Sequence, residues 1–254
     1  PLLIFPTPKY LKKLDGQFAV NRILKVYGND NDHQIFEREI DRLFVTERVN
    51  THGEADILLK NNTTLGNEAY NLNISKQILT IESSSSASLF YALQSVKSLY
   101  KGLENKSHLP ALEVRDEPRY GYRGFMMDIA RNFRDKSVVL KYLDLMAENK
   151  LNVFHFHFIE DEAWRIEIPG LPELIEVGAR RSPLFHLGNA LQPAYGSGID
   201  ETKYYLSRAD FIEILKYAKE KHIQVVPEIE TPGHARASIK AMEHRYNKYM
   251  LAGD

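Results

Sequence analysis

The sequence predicts an α/β protein in two parts: a small α+β support domain over residues 1–118, then, over residues 119–254, an incomplete (β/α)8 barrel with about the first three βα units. Three observations lead there. From Leu151 the chain reads L-N-V-F-H-F-H-F-I-E-D-E-A-W-R-I-E-I, an apolar strand that runs abruptly into Glu160, Asp161 and Glu162. After Arg119, strands and helices alternate, which is the pattern of a parallel sheet made of βαβ units. Each of the three strands in that stretch also ends in ionisable residues, where parallel α/β enzymes gather their working groups.

Composition sets outer limits. Lys and Arg number 33 against 34 Asp and Glu, so no basic surplus is available to neutralise phosphates and no nucleic-acid partner is expected. The absence of cysteine removes disulfides, thiolate metal sites and thiol nucleophiles. No apolar run approaches the ~18 residues that a membrane span needs. The Pro1 to Pro8 start is too short and proline-rich to read as a signal peptide.

In the first part, Phe18 to Tyr27 reads as one strand, closed by the turn-rich Gly28 to Asp32. Asp32 is placed as the cap of a helix whose apolar face is Ile35, Phe36, Ile40, Leu43 and Phe44. Strands follow at Ala55–Lys60, Ala69–Ile74 and Gln77–Glu82, the last two joined through a Ser75-Lys76 hairpin turn. The serine run Ser83–Ser86 leads straight into Leu89, Phe90, Leu93, Val96, Leu99 and Tyr100 and is read as a helix start. A strand at Leu109–Arg115 closes the layer, and Asp116-Glu-Pro-Arg119 marks the boundary.

In the second part the first strand is Tyr122–Ala130, with Asp128, Arg131 and Asn132 at its end. Asp135 then caps a helix that buries Val139, Tyr142, Leu143 and Met146. The second strand starts at Leu151. Its alternation sets Phe154, Phe156 and Phe158 on one face and His155 and His157 on the other, toward the barrel interior. Pro169–Tyr205 is a long irregular stretch expected to fold over the strand ends; Tyr195, Tyr204 or Tyr205 in it could stack on a sugar. Ser207 and Asp210 make a capping box for a helix with Phe211, Leu215 and Ala218. The third strand, Ile223–Glu230, places Glu228 and Glu230 on one face, ahead of the Thr231-Pro-Gly-His234 turn. Glu162 is read as a solvated rim charge, Glu228 as an ion-pair partner, Trp164 as packing, and a salt bridge to Asp128 or Asp135 as the bland reading of Arg131. A doubly wound sheet would carry a glycine-rich phosphate loop after its first strand, and Ala130-Arg-Asn-Phe is not one. A full barrel takes about 250 residues, so residues 119–254 are expected to be a piece of a longer enzyme.

The segments Y-R-G-F-M-M-D-I-A-R-N-F, K-L-N-V-F-H-F-H-F-I-E-D-E-A-W-R-I-E-I and V-V-P-E-I-E-T-P-G-H, in that order, closely resemble the family 20 glycoside hydrolases, the β-N-acetylhexosaminidases. The resemblance spans essentially the whole chain, since that family also has a small α/β domain before its barrel. It implies that Arg131 binds sugar hydroxyls with its guanidinium fork, and that His234 pairs with an acid at the end of the second strand and helps orient the catalytic acid. That partner is Glu160 or Asp161, because the family's aspartate is replaced here by glutamate, as it is again at Glu230. His157 and Glu230 are expected to line the substrate pocket. The implied reaction is substrate-assisted and retaining: the 2-acetamido oxygen attacks the anomeric carbon while an Asp-Glu pair orients the amide and protonates the leaving oxygen. That pair is expected beyond Asp254, so the segment alone is expected to be inactive. The implied partner is a glycan ending in an N-acetylhexosamine, with no cofactor and no metal, in a secreted, periplasmic or lysosomal setting. Two other readings stay open: a metal-dependent barrel hydrolase using His155 and His157, and a non-catalytic sugar-binding module.

Overall fold

The structure, a computed structural model, describes residues 4–40, 43–181 and 202–253. The chain divides into two compact units, residues 1–121 with 147–150 and residues 122–146 with 151–254.

The first unit is built on a seven-stranded mixed sheet. Its strands are β1 (Tyr10–Ala19), β2 (Leu24–Tyr27), β3 (Thr46–Arg48), β4 (Ile57–Asn61), β5 (Tyr70–Ile74), β6 (Leu79–Ser83) and β7 (His108–Asp116), in the order β1-β7-β5-β6-β4-β2-β3. Two helices, α1 (Asp30–Ile40) and α2 (Ser86–Lys101), complete it. Alternation decides the inner face: Tyr70, Leu72 and Ile74 on β5 and Leu79, Ile81 and Ser83 on β6 are buried, and α2, whose Leu89, Phe90, Leu93 and Val96 are buried, packs on both strands. Ser85 starts α2 with a capping box, its hydroxyl accepting from the Ser88 N–H at 3.1 Å, so the serine run is a helix start.

Three sequence expectations need correction here. Phe18–Tyr27 is not one strand. The chain turns at Val20–Ile23 because β1 lies on one edge of the sheet, antiparallel to β7, while β2 lies near the other edge, parallel to β4. The strand before that turn starts earlier, at Tyr10, and carries a bulge between Lys13 and Gln17 where Gly16 takes φ +116°. Asp32 is not the cap of α1: Asn29 is, its side-chain oxygen accepting the Asp32 N–H at 2.9 Å, while Asp32 is buried inside the first turn. The hairpin turn is centred one residue later, on Lys76-Gln77, as the Ser75 N–H to Ile78 O bond of 2.9 Å shows.

The second unit contains three parallel strands, β8 (Gly124–Asp128), β9 (Val153–His157) and β12 (Gln224–Glu228), in the spatial order β8-β9-β12. Helix α3 (Lys136–Glu148) leads from β8 to β9, α5 (Arg208–Glu220) leads into β12, and α6 (Arg236–Ala252) follows it. These are successive βα units in barrel order. Phe154, Phe156 and Phe158 are buried on the helix side, where Phe156 and Phe158 meet Phe211 of α5 at ring distances of 6.4 and 5.9 Å. His155 and His157 project from the opposite face, as the alternation requires. Asp135 caps α3 through the Val138 N–H at 3.0 Å, and Ser207 with Asp210 forms the capping box of α5. The buried stripes differ from expectation at one position each. Tyr142 is exposed and stacks on Phe125, and in α5 Leu215 is exposed while Ile214 is buried together with Ala218.

Pro169–Tyr205 is not irregular throughout. It includes the short helix α4 (Glu173–Glu176) and an antiparallel pair, β10 (Arg180–Arg181) with β11 (Thr202–Lys203). The expectation for Tyr195 lies outside the described residues.

Candidate active site

Strand register builds the site. Asp128 pairs with His157 across β8 and β9, and His157 pairs with Glu228 across β9 and β12, so these three side chains form one row at the C-terminal edge of the sheet. Just beyond that edge, the loops add Arg131 after β8, Glu160 after β9, and Glu230 and His234 after β12.

Glu160 is the centre of the cluster. Its side chain is only 2% exposed, and Arg131 Nη2, His234 Nδ1 at 2.6 Å and its neighbour Asp161's N–H at 2.7 Å all reach its carboxylate. A buried carboxylate is tolerable only when donors surround it in this way. The choice between Glu160 and Asp161 is therefore decided by geometry. Asp161 turns away to accept the Arg236 N–H at 2.9 Å, at the start of α6. The extra methylene of Glu160 does not open the contact to His234.

Arg131 donates to Asp128 at 2.6 Å and to Glu160, sits 3.3 Å from His157 Nε2, and brings Nε within 3.4 Å of Glu162. The salt bridge to Asp128 therefore exists together with the pocket position, and 41% of the Arg131 side chain stays exposed. Glu162 is not a solvated rim charge; its side chain is mostly covered, next to this guanidinium. His157 Nδ1 lies 2.6 Å from Glu228 Oε2, and its Nε2 faces Arg131 Nη1 at 3.3 Å and Glu160 Oε1 at 3.7 Å. His155 Nε2 reaches the same Glu228 oxygen at 2.7 Å.

The two acids at the end of β12 and just after it divide their roles. Burial alone would raise Glu228, but hydrogen bonds from His157 and Glu230 and the two nearby histidines hold it below the usual carboxylate range. Glu230 is raised, first by its hydrogen bond to Glu228 and then by burial, as expected when two carboxyls share a proton. His234 Nε2 lies 3.9 Å from Glu230, and the bond to Glu160 lifts His234 above its ordinary value of 6.5. His234 takes a left-handed backbone, φ 53°, which costs a non-glycine residue about 1–2 kcal/mol. The Pro232-Gly233 turn aims its ring back at Glu160.

Two groups, His157 with Glu228 and Glu230, and Glu160 with Glu230 and His234, bring ligand atoms close enough to hold a metal ion. Arg131 already supplies positive charge beside them, bonded to Glu160 in the second group and 3.3 Å from His157 Nε2 in the first, and it competes with a cation for the Glu160 carboxylate.

Two buried residues that the sequence reading passed over touch the loop that holds Arg131. Arg165 donates to Ala130 O, and Arg181 to Arg131 O. The available signal was an arginine flanked by Ala163, Trp164 and Ile166, all of them buried.

Successive βα units with acids, histidines and an arginine gathered at the strand C-termini define a (β/α)8-type enzyme domain. Two family models identify it further. The catalytic domain of glycosyl hydrolase family 20 matches residues 120–252, and domain 2 of the same family matches residues 2–117, so the chain belongs to glycosyl hydrolase family 20. An N,N'-diacetylchitobiase of Vibrio harveyi is 46% identical over 73% of this chain and 21% of its own length. A β-hexosaminidase of Vibrio vulnificus is 39% identical over 99% of this chain and 30% of its own. Among solved structures, the family 20 exo-β-N-acetylglucosaminidase of Vibrio harveyi in complex with N-acetylglucosamine superposes with a TM-score of 0.82 at 29% identity, over 95% of this chain and 38% of that one. The β-N-acetylhexosaminidase of Bacteroides fragilis gives 0.83 at 28%, over 96% and 48%. The chain thus spans less than half the length of each of these relatives, from 21% to 48%.

Proposed function

We propose that the whole protein is an exo-acting β-N-acetylhexosaminidase that removes terminal N-acetylglucosamine or N-acetylgalactosamine from glycans. The observation that carries the reading is the contact between Glu160 and His234, with Arg131 bonded to the same carboxylate, in a chain whose relatives are named chitobiase and β-hexosaminidase. In this reading Arg131 presents its exposed edge to adjacent sugar hydroxyls, and Glu160 holds it in place. His234, bonded to Glu160 and raised above its ordinary value by it, orients the catalytic acid. His157 and Glu230 line the pocket.

The reaction is the substrate-assisted, retaining hydrolysis of the family. The acetamido oxygen closes on the anomeric carbon as a carboxylic acid protonates the leaving oxygen, and water then reopens the ring. The Asp-Glu pair for those steps belongs to a part of the parent protein outside these residues. The setting is extracytoplasmic: secreted, periplasmic or lysosomal.

The test is release of N-acetylhexosamine from an aryl β-N-acetylglucosaminide by the parent enzyme. Arg131→Ala and His234→Ala should each lower kcat/KM by about 100-fold or more. Wild-type rates in both variants would reject the site. Detectable turnover by the 254-residue chain alone would reject the placement of the Asp-Glu pair.

A further inference from the structure

We infer that Arg165 is a positioning residue for Arg131, tying the loop after β8 through the Ala130 carbonyl to two other segments so that the sugar-facing guanidinium is fixed before substrate arrives. The inference rests on the proposed role of Arg131 and extends it to a residue that meets no substrate.

Arg165 is 2% exposed, and its hydrogen bonds among the described residues all go to main-chain oxygens. Nε and Nη2 donate to Ala130 O at 3.3 and 3.1 Å, and Nη1 donates to Ala179 O at 3.1 Å and to Tyr204 O at 2.8 Å. A planar fork of five donors is the side chain suited to gathering three carbonyls from three separate segments. The arrangement is costly. Burial, with the neighbouring charge of Arg181, pulls Arg165 down to about 10. A buried guanidinium used only as filler would be replaced at lower cost by an apolar side chain.

Its target is the peptide that bears Arg131. Asp128 Oδ1 accepts the N–H groups of Ala130 at 2.8 Å and Arg131 at 3.2 Å. Arg165 takes the Ala130 carbonyl, and Arg181 takes that of Arg131. Both polar groups of two consecutive residues are thus held by charged side chains. The guanidinium of Arg165 also lies over the Phe133 ring at 5.6 Å, and Phe133 stacks on Tyr204 at 5.6 Å with 10° between planes, which grips the loop a second time. Such fixing matters because a displacement of about 1 Å in a binding group can cost on the order of 100-fold.

The experiment is a double-mutant cycle in the full-length parent enzyme, with calorimetric affinity for N-acetylglucosamine as the readout, alongside kcat, KM and Tm. Arg165→Met should weaken sugar binding by about 10-fold when Arg131 is present and by less than about 2-fold in the Arg131→Ala background. Arg165→Lys, which can bond only part of the carbonyl set, should recover part of the loss. If Arg165→Met does not fold, the Lys variant carries the same cycle. Equal losses in both backgrounds would mean a purely structural role and overturn the inference, as would unchanged affinity in the Arg165 variants. If Arg131→Ala itself binds sugar normally, the reading of the pocket fails and takes this inference with it. If Arg131→Ala is weakened and the Arg165 variants are not, only the inference fails.

Discussion

Glu160 Oε1 and His234 Nδ1 lie 2.6 Å apart, joining the loops after the second and third strands of the parallel sheet. The bond from His234 to Glu160, followed by the charges of Glu160 and Glu230, raises the His234 pKa above 6.5. A histidine raised on folding contributes stability that is fully present below its unfolded value and is lost as pH rises through its folded one. Glu160→Gln should therefore lower the His234 midpoint in an NMR titration of the ring protons. It should also remove the pH-dependent part of the stability, with the deficit greatest below pH 6.5 and shrinking as pH climbs. An unchanged midpoint would mean that Glu160 is not the partner.

Glu230, in the neighbouring Glu228–Glu230 pair, shifts stability with pH in the same direction as His234. Glu230, with its carboxyl raised, favours the folded state at low pH and loses that contribution as pH rises through its folded value. Above that range two negative charges face each other. Glu230→Gln keeps a donor toward Glu228 and removes the second charge, so it should unfold at higher temperature than wild type near pH 7, and the advantage should narrow on acidification. A calorimetric pH series checks both parts. A Tm advantage that does not change with pH would count against the shared proton.

Legibility in the sequence followed alternation along the strand rather than burial, since β12 has no buried residue. β9 and β12 were readable because one face is apolar or carries functional groups, and the same alternation placed His155 and His157 together. β1 was not, because it is an edge strand with Lys12, Lys13 and Asp15 on a largely exposed ladder, held to β7 by backbone bonds that leave no hydrophobic period. Arg131, Glu160, Glu230 and His234 stood out as ionisable groups at strand ends, and they do converge. What sequence could not order was the division among adjacent acids. Whether Glu160, Asp161 or Glu162 faces His234, the α6 terminus or Arg131 depends on a turn of a few residues, and no periodicity encodes that. Arg165 was missed for the opposite reason: a single charge among apolar neighbours reads as an exposed position until its carbonyl partners from distant segments are seen.

Helix α2 supplies a local test of the first unit. Ser85 and Ser88 satisfy each other's backbone N–H groups, and α2 is the helix that covers β5 and β6. Ser85→Ala should cost about 1 kcal/mol in urea unfolding, while Ser85→Asp, which keeps an acceptor at the helix start, should restore most of it. If Ala and Asp behave alike, the capping box is not stabilising.

Phe156 tests whether the sheet is stabilised independently of its chemistry. Its ring is fully buried between Phe154 at 4.8 Å, Phe158 at 5.5 Å and Phe211 of α5 at 6.4 Å. The next residue, His157, points to the other face and bonds to Glu228. Phe156→Ala removes a ring that neighbours on one strand and one helix cannot collapse to replace, so the loss should be about 3–5 kcal/mol by chemical denaturation. Phe156→Leu retains most of the volume and should cost distinctly less. Because the two faces of β9 are separate, the His234 midpoint in the folded Leu variant should match wild type. A shifted midpoint would show that the aromatic layer sets the position of the acidic cluster, and that packing and site geometry are coupled through the strand.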